Sequence, residues 1–199
     1  MSAVNNTADI RAMLRFEPND FYFVQILKRK KDNPDMEKNM TVIKNFYMDS
    51  FDDYDKMVPR IIDICDKENA RAYFRLNRRN YEHLGLKVIS RSVEYLSNKN
   101  YRALRNVFDA VAGEFHSDTD KTWIVDLDWS EFIIPEVIVD IKSTIRELQI
   151  QAKKEPRIDV LPTKNGLHLI TRPFNKKVFK DKYPMVDIHT DNPTILYCP

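Results

Sequence analysis

Two aspartates one residue apart close a short apolar run, Trp123-Ile124-Val125-Asp126-Leu127-Asp128-Trp129. In an extended strand, side chains alternate between faces. Asp126 and Asp128 therefore share one face, and Val125 and Leu127 turn to the other, into a core. Two carboxylates on one strand face make a hard oxygen site suited to Mg²⁺ or Mn²⁺. An Asp-x-Asp pair alone is more often solvated acid at a strand end. The apolar flank formed by Trp123, Ile124, Val125 and Trp129 favours a strand buried up to the point where the acids emerge. Carboxylates held together there repel and raise one another's pKa unless a cation neutralises them.

A second group of residues suits phosphate. Thr163-Lys164-Asn165-Gly166 reads as a turn, because Asn-Gly favours a tight hairpin. Leu167-His168-Leu169-Ile170-Thr171-Arg172 is the returning strand. Exposed backbone N–H groups in a glycine turn bind phosphate oxygens, and a lysine adds charge. Lys164, Asn165, Gly166, His168 and Arg172 are thus a candidate phosphate-binding set; the plain alternative is a β-hairpin with a hydrogen-bonded core histidine. Asp187, at a strand after a basic loop, is a further candidate acid, and Asp191 competes for any role; the plain alternative for each is an ordinary loop or strand-edge acid. His189-Thr190 is half of a two-histidine phosphoesterase signature. The other half is absent, since Leu169-Ile170 follows His168. Arg71, Arg75, Arg78 and Arg79 surround Tyr73 and Phe74. That interleaving suits single-stranded nucleic acid through stacking and phosphate pairing, though a core strand with a charged end is the slightly favoured reading.

The totals narrow the classes. The chain of 199 residues is long enough for one domain or two small lobes, and 43% hydrophobic residues supply a core. The 32 basic and 30 acidic residues leave a net charge of +2, so a polyanion would bind a local patch. Cys65 and Cys198 lack metal or disulfide-framework spacing, and a reducing cytoplasm is the expectation. No apolar run approaches the roughly 20 residues needed to span a bilayer, and the first residues lack a secretory signal's pattern. There is no phosphate loop, no Gly-x-Ser-x-Gly elbow and no reactive-cysteine signature.

The elements that must position these residues follow from periodicity. Residues 21–27 and 41–48 read as paired strands, and 70–76 as a third that ends in the polar Asn77-Arg78-Arg79-Asn80. A helix with a Ser50/Asp53 capping box carries Met57, Ile61, Ile64 and Cys65 on one face, starting late or kinked at Pro59. Leu86, Ile89, Val93 and Leu96 suit a second helix face. Residues 100–112 suit a third helix, with Gly113 as its C-cap. After the Trp123 strand, Pro135 opens a helix buried through Ile138, Ile141, Ile145 and Leu148 and closed by Lys153-Lys154. Then come the hairpin, a basic loop over 175–184, and short strands at 185–189 and 194–197. From Thr122 this order predicts an antiparallel sheet with a helix on one face, an α+β arrangement.

Three motifs stand in order: an apolar strand with Asp126-x-Asp128, then Gly166-Leu167-His168, then Val186-Asp187. That order resembles the archaeo-eukaryotic primase superfamily of primases, primase-polymerases and end-joining ligase polymerase domains. The resemblance covers mainly residues 120–197. It implies an RRM-like catalytic half at 117–199 and a smaller N-terminal α/β lobe at 1–116. It implies a minimal core of the kind phages carry, with none of the family's zinc-binding cysteines. Asp126, Asp128 and Asp187 would hold Mg²⁺ or Mn²⁺. His168, helped by Lys164 or Arg172, would contact phosphates of an incoming nucleoside triphosphate. Arg75, Arg78 and Arg79 would meet single-stranded or primed nucleic acid, with replication proteins as further partners. The implied activity is template-directed nucleotidyl transfer. The alternatives are a catalytically silent primase-like binding protein and a metal-dependent nuclease.

Overall fold

Two antiparallel sheets meet along one seam in the computed structural model, which describes residues 3–116, 120–128 and 134–199. The expected Trp129 flank lies outside the described residues. The first sheet has the order β1-β9-β4-β2-β3 and the second β6-β7-β5-β8. The strands are β1 (Val4–Asn5), β2 (Asp20–Arg29), β3 (Met40–Met48), β4 (Arg71–Asn80), β5 (Trp123–Asp128), β6 (Ile158–Pro162), β7 (Gly166–Thr171), β8 (Asp187–His189) and β9 (Thr194–Cys198). The described helices are α1 (Thr7–Met13), α2 (Phe51–Glu68), α3 (Tyr81–Ser97), α4 (Tyr101–Leu104), α5 (Val107–Glu114), α6 (Pro135–Gln151) and α7 (Lys176–Lys182). The fold is α+β. Among the described residues no helix is long and apolar enough to cross a membrane.

β2 explains the layering of the first sheet. Its residues are apolar on both faces, as a strand covered on both sides requires. Tyr22, Val24 and Ile26 pack with α1 and α2, through Ile10, Tyr54, Val58 and Ile61. Phe21 and Phe23 pack on the other side against Leu84, Val111 and Ala112 of α3 and α5. In the second sheet Val125, Leu127 and Leu169 bury against α6 and α7, through Ile141, Ile145, Leu148 and Phe179. The opposite face of that sheet sends Ile124, Leu161 and Ile170 into the core of the first. The last strand, β9, pairs with β1 and β4, so the chain's final residues belong to the first sheet rather than to the half that begins at 117.

Several expectations are corrected. α2 does not start late; it runs from Phe51 to Glu68, capped by the Ser50 hydroxyl accepting from Asp53 N–H, with Pro59 inside it on the exposed side. β4 continues to Asn80, so Asn77, Arg78 and Arg79 lie inside a strand. The single helix over 100–112 is two, and Gly113 sits within α5 rather than capping it. The basic loop after 175 contains α7, which Phe179 anchors in the core. Lys153 and Lys154 lie beyond the end of α6. On α3 the buried contact is Leu84 with Val88, and Leu86, Ile89, Val93 and Leu96 are exposed.

Gly166 matters for space, not for a left-handed turn, since no glycine among the described residues has positive φ. It opens β7 directly opposite Asp128, and a Cβ there would stand 2.0 Å from the Leu127 carbonyl oxygen. Backbone cannot yield as a side-chain tip does. Gly166→Ala is therefore expected to destabilise the fold by about 3 kcal/mol or more, read as a lower chemical-denaturation midpoint.

A buried ion triad ties the sheets together. Asp32, in the turn after β2, accepts two hydrogen bonds from Arg71, both at 2.7 Å, and one from Lys164 of the β6–β7 hairpin at 2.8 Å. The Arg71 and Asp32 side chains are 5% and 9% exposed. Burial pulls the Asp32 carboxyl up, but Arg71 and Lys164 outweigh it and hold it at about 2, below its ordinary 3.8. A depressed carboxyl contributes stability above its unfolded pKa and loses it as pH falls through the folded one. About 2 kcal/mol of stability is thus expected to vanish between about pH 4 and pH 2. Denaturation titrations should show that loss in the parent chain. It should be missing from Asp32→Asn, which starts about 3 kcal/mol weaker because Arg71 stays buried without its counter-ion.

Candidate active site

The β5 register builds the site. Asp126 stands opposite His168 of β7 on one side and opposite Asp187 of β8 on the other. Directly opposed residues share a sheet face, so His168, Asp126 and Asp187 form one cross-strand row. His189 stands opposite Ile124, one step along the same face. The Asp126 carboxylate lies 3.4 Å from His168 Nε2 and 3.9 Å from His189 Nε2. His168 Nδ1 meets the Thr194 hydroxyl of β9 at 2.9 Å, which fixes the ring from behind. Burial pulls the Asp126 carboxyl up, yet the two imidazoles outweigh it and leave it below its ordinary value.

This face forms one wall of a cleft of about 290 Å³ between the sheets. Asp126, Asp128, Lys164, Asn165, His168 and His189 line the second sheet's side; Arg29, Lys31, Arg71 and Tyr73 line the other. Arg29 donates to the Tyr73 hydroxyl at 3.0 Å, and Arg71 is held by Asp32. Burial and the neighbouring guanidinium groups of Arg71 and Arg29 push the Lys31 ammonium below its ordinary pKa, against the pull of Asp32. A lysine crowded by cations marks a wall that an anion would relieve. The cleft is thus acidic where β5 ends and basic across the gap.

The predicted residues divide. Asp126, Asp128, His168, Lys164 and Asn165 come together in the cleft. Gly166 adjoins it as the close contact between β7 and β5. Asp187 belongs to the row, but its carboxylate is 74% exposed, lies 3.7 Å from Lys180 and does not line the cleft. Arg172 is at the far end of β7, paired with Glu155 at 3.1 Å, and is not part of this cleft. Arg75, Arg78 and Arg79, assigned to a nucleic-acid face, are half-buried or buried and lie outside this cleft. Arg79 is fully buried, donating to the Ala112 and Asn77 carbonyls and to Asp191. Arg75 donates to the Asp191 carbonyl at 2.7 Å. Arg78 faces Asp20 at 3.0 Å and Asp120 at 3.4 Å. Asp191, the competing third acid, is the counter-ion of this buried cluster and also accepts from Asn77 at 3.0 Å.

Arg29, Lys31, Tyr73 and His189 joined the site without having been singled out for it. The basic run at 28–31 was visible, but its role depends on long-range pairing that brings β2 and β4 across from β5. The fit to a divalent cation can be judged from the donors. Among the described residues no three His, Cys, Asp or Glu side chains form a metal-binding group. Asp126 and Asp128 alone fit Mg²⁺, which keeps several waters and uses one or two carboxylates together with substrate phosphates.

No family model matches the chain, and no curated protein or solved structure matches it either.

Proposed function

We propose that the cleft binds the triphosphate of a nucleotide and transfers its nucleotidyl group to a nucleic-acid 3′-hydroxyl, the primase-polymerase activity implied by the order of the three motifs. The observation that carries this reading is Asp126, Asp128 and His168 facing Arg29, Lys31 and Arg71 across one cleft. Phosphoryl transfer asks for positioning and charge neutralisation more than for covalent chemistry. A divalent cation held by Asp126 and Asp128 would polarise the reacting phosphate and offset charge on the leaving group. His168, steadied by Thr194, offers its other ring nitrogen to phosphate oxygens. The basic wall binds the remaining phosphate charge, and Tyr73 presents a ring at its edge. The hydroxyl oxygen bonds the α-phosphorus as the bond to the bridging oxygen breaks. Pyrophosphate leaves, and the hydroxyl proton passes to solvent. Asp187, already in the row, would turn into the cleft as the third carboxylate once released from Lys180, an exposed ion pair of the kind worth little.

A second reading rests on the same Asp187. Turned to Lys180, it leaves two acids in the cleft, which suits nucleotide binding without transfer. Primer extension with Mn²⁺ and a labelled template separates the readings. Transfer predicts incorporation that falls about 10³-fold or more in the double substitution Asp126→Ala with Asp128→Ala. His168→Ala should chiefly raise the KM for triphosphate, by about tenfold or more. Mn²⁺ binding read by electron paramagnetic resonance should fall with the acids and persist without His168. Incorporation that survives loss of both acids would sink the assignment. Saturable nucleotide binding with no incorporation would select the second reading, and oligonucleotide cleavage without triphosphate would identify a nuclease.

A further inference from the structure

The inner face of the second sheet is polar at both ends and apolar between them. Along β7 and its continuation the alternating residues are His168, Ile170 and Arg172; along β5 and the residue before it they are Asp126, Ile124 and Thr122. Ile124, Ile170 and Leu161 of β6 are buried in the shared core and plug the seam. The acidic cleft opens at one mouth. At the other mouth lies a separate cavity of about 370 Å³ lined by Arg15, Arg78, Lys121, Lys154, Arg157 and Arg172, with Asp120 as its one acid. A shallower recess of about 250 Å³ adjoins it and shares Arg15, Arg157 and Arg172.

These cations are not equally satisfied. Arg78 is held by Asp20 and Asp120, Arg157 by Asp159 at 2.7 Å, and Arg172 by an exposed Glu155. Arg15 and Lys154 are exposed, and neither side chain has an ion pair or hydrogen bond among the described residues. They come from opposite lobes: Arg15 follows α1, and Lys154 lies between α6 and β6. Two unpartnered cations facing one cavity across the seam, beside three partly neutralised arginines, mark a site for a multiply charged anion. A carboxylate would satisfy one guanidinium. A phosphate group offers oxygens in several directions and suits guanidinium forks arriving from both walls.

We propose that this cavity is a phosphate-binding site separate from the acidic cleft. Its ligand carries adjacent phosphate charges, as a phosphodiester backbone or a short polyphosphate does. The site does not depend on the transfer activity proposed above, because none of its residues lines that cleft.

The test uses the full chain without divalent metal. A fluorescent single-stranded 12-mer is titrated by anisotropy over a range of KCl concentrations, with tripolyphosphate as competitor. The key variant is Arg15→Glu with Lys154→Glu. Both side chains are exposed and unpartnered, so thermal melting should match the parent. Oligonucleotide affinity is expected to fall at least tenfold, and the slope of log affinity against log salt to become shallower by about 1.4, the counterion release of two phosphate contacts. Displacement by tripolyphosphate would identify a compact phosphate ligand, and binding it cannot displace would identify the polynucleotide backbone; both support the site. Equal binding by parent and charge-reversed chain would overturn the proposal. So would absence of binding to either probe by the parent.

Discussion

Val125 and Leu127 are fully buried on one side of β5, and Ile124 is buried on the other. The rest of the molecule depends on this strand belonging to two cores at once. α6 and α7 cover the first side, and the N-terminal sheet covers the second. A strand covered on both faces cannot slip by one residue without exposing one apolar set and burying carboxylates. That fixes where the apolar sequence ends and Asp126 begins, and so where the acids meet the seam. Gly166 reinforces the register, because only a residue without Cβ lets β7 approach the Leu127 carbonyl.

The second constraint is electrostatic. The interface between the sheets holds Asp32, Arg71, Arg75, Arg78, Arg79 and Asp191, nearly all buried or half-buried. Buried ion pairs are poor sources of net stability but strong guards of geometry, since each partner removed strands a charge. Here they set the spacing between β4 and the second sheet. Asn77 adds to this by accepting from Thr122 N–H at 2.7 Å and donating to the Thr122 and Thr190 carbonyls, both at 3.1 Å. The start of β5 and the loop before β9 are thereby anchored to one side chain. Lys164 shows the consequence for the site: it lines the cleft, but Asp32 holds its ammonium, so its charge is positioned by the fold.

Local pattern carried much of this architecture. The strands at 21–27, 41–48 and 123–128, the Ser50 cap and the α6 face through Ile141, Ile145 and Leu148 were all legible, because each is a short-range regularity of alternation, helical period or capping. The misses share a cause. Arg75, Arg78 and Arg79 look like a solvated strand end until Asp191, more than a hundred residues later, arrives to neutralise Arg75 and Arg79, and Asp20 and Asp120 meet Arg78. β9 reads as the end of the second half until it pairs with β4 in the first sheet. α3 carries two apolar stripes, and nothing local says that the one through Leu84 and Val88 is buried while the one through Leu86 and Ile89 stays exposed. The acids and His168 were legible as a set because spacing along strands fixes their face. The basic wall opposite was not, since no spacing relates β2 to β5.

Charge separation follows from the same topology. A net charge of +2 from 32 bases and 30 acids describes a molecule with no overall field to speak of. The seam distributes those charges unevenly. At one mouth the β5 carboxylates face Arg29, Lys31 and Arg71; at the other, Asp120 faces six cations. The apolar plug of Ile124, Leu161 and Ile170 keeps water out of the space between, so each mouth is electrostatically local. Alternation along β5 and β7 makes this arrangement compulsory. The residues that share a face with Asp126 and His168 must include Ile124 and Ile170 to close the core, and the next residues outward are again free to be polar. A two-ended polar face is therefore what remains when a short sheet buries only its middle, and the sequence has filled the two ends with opposite chemistry.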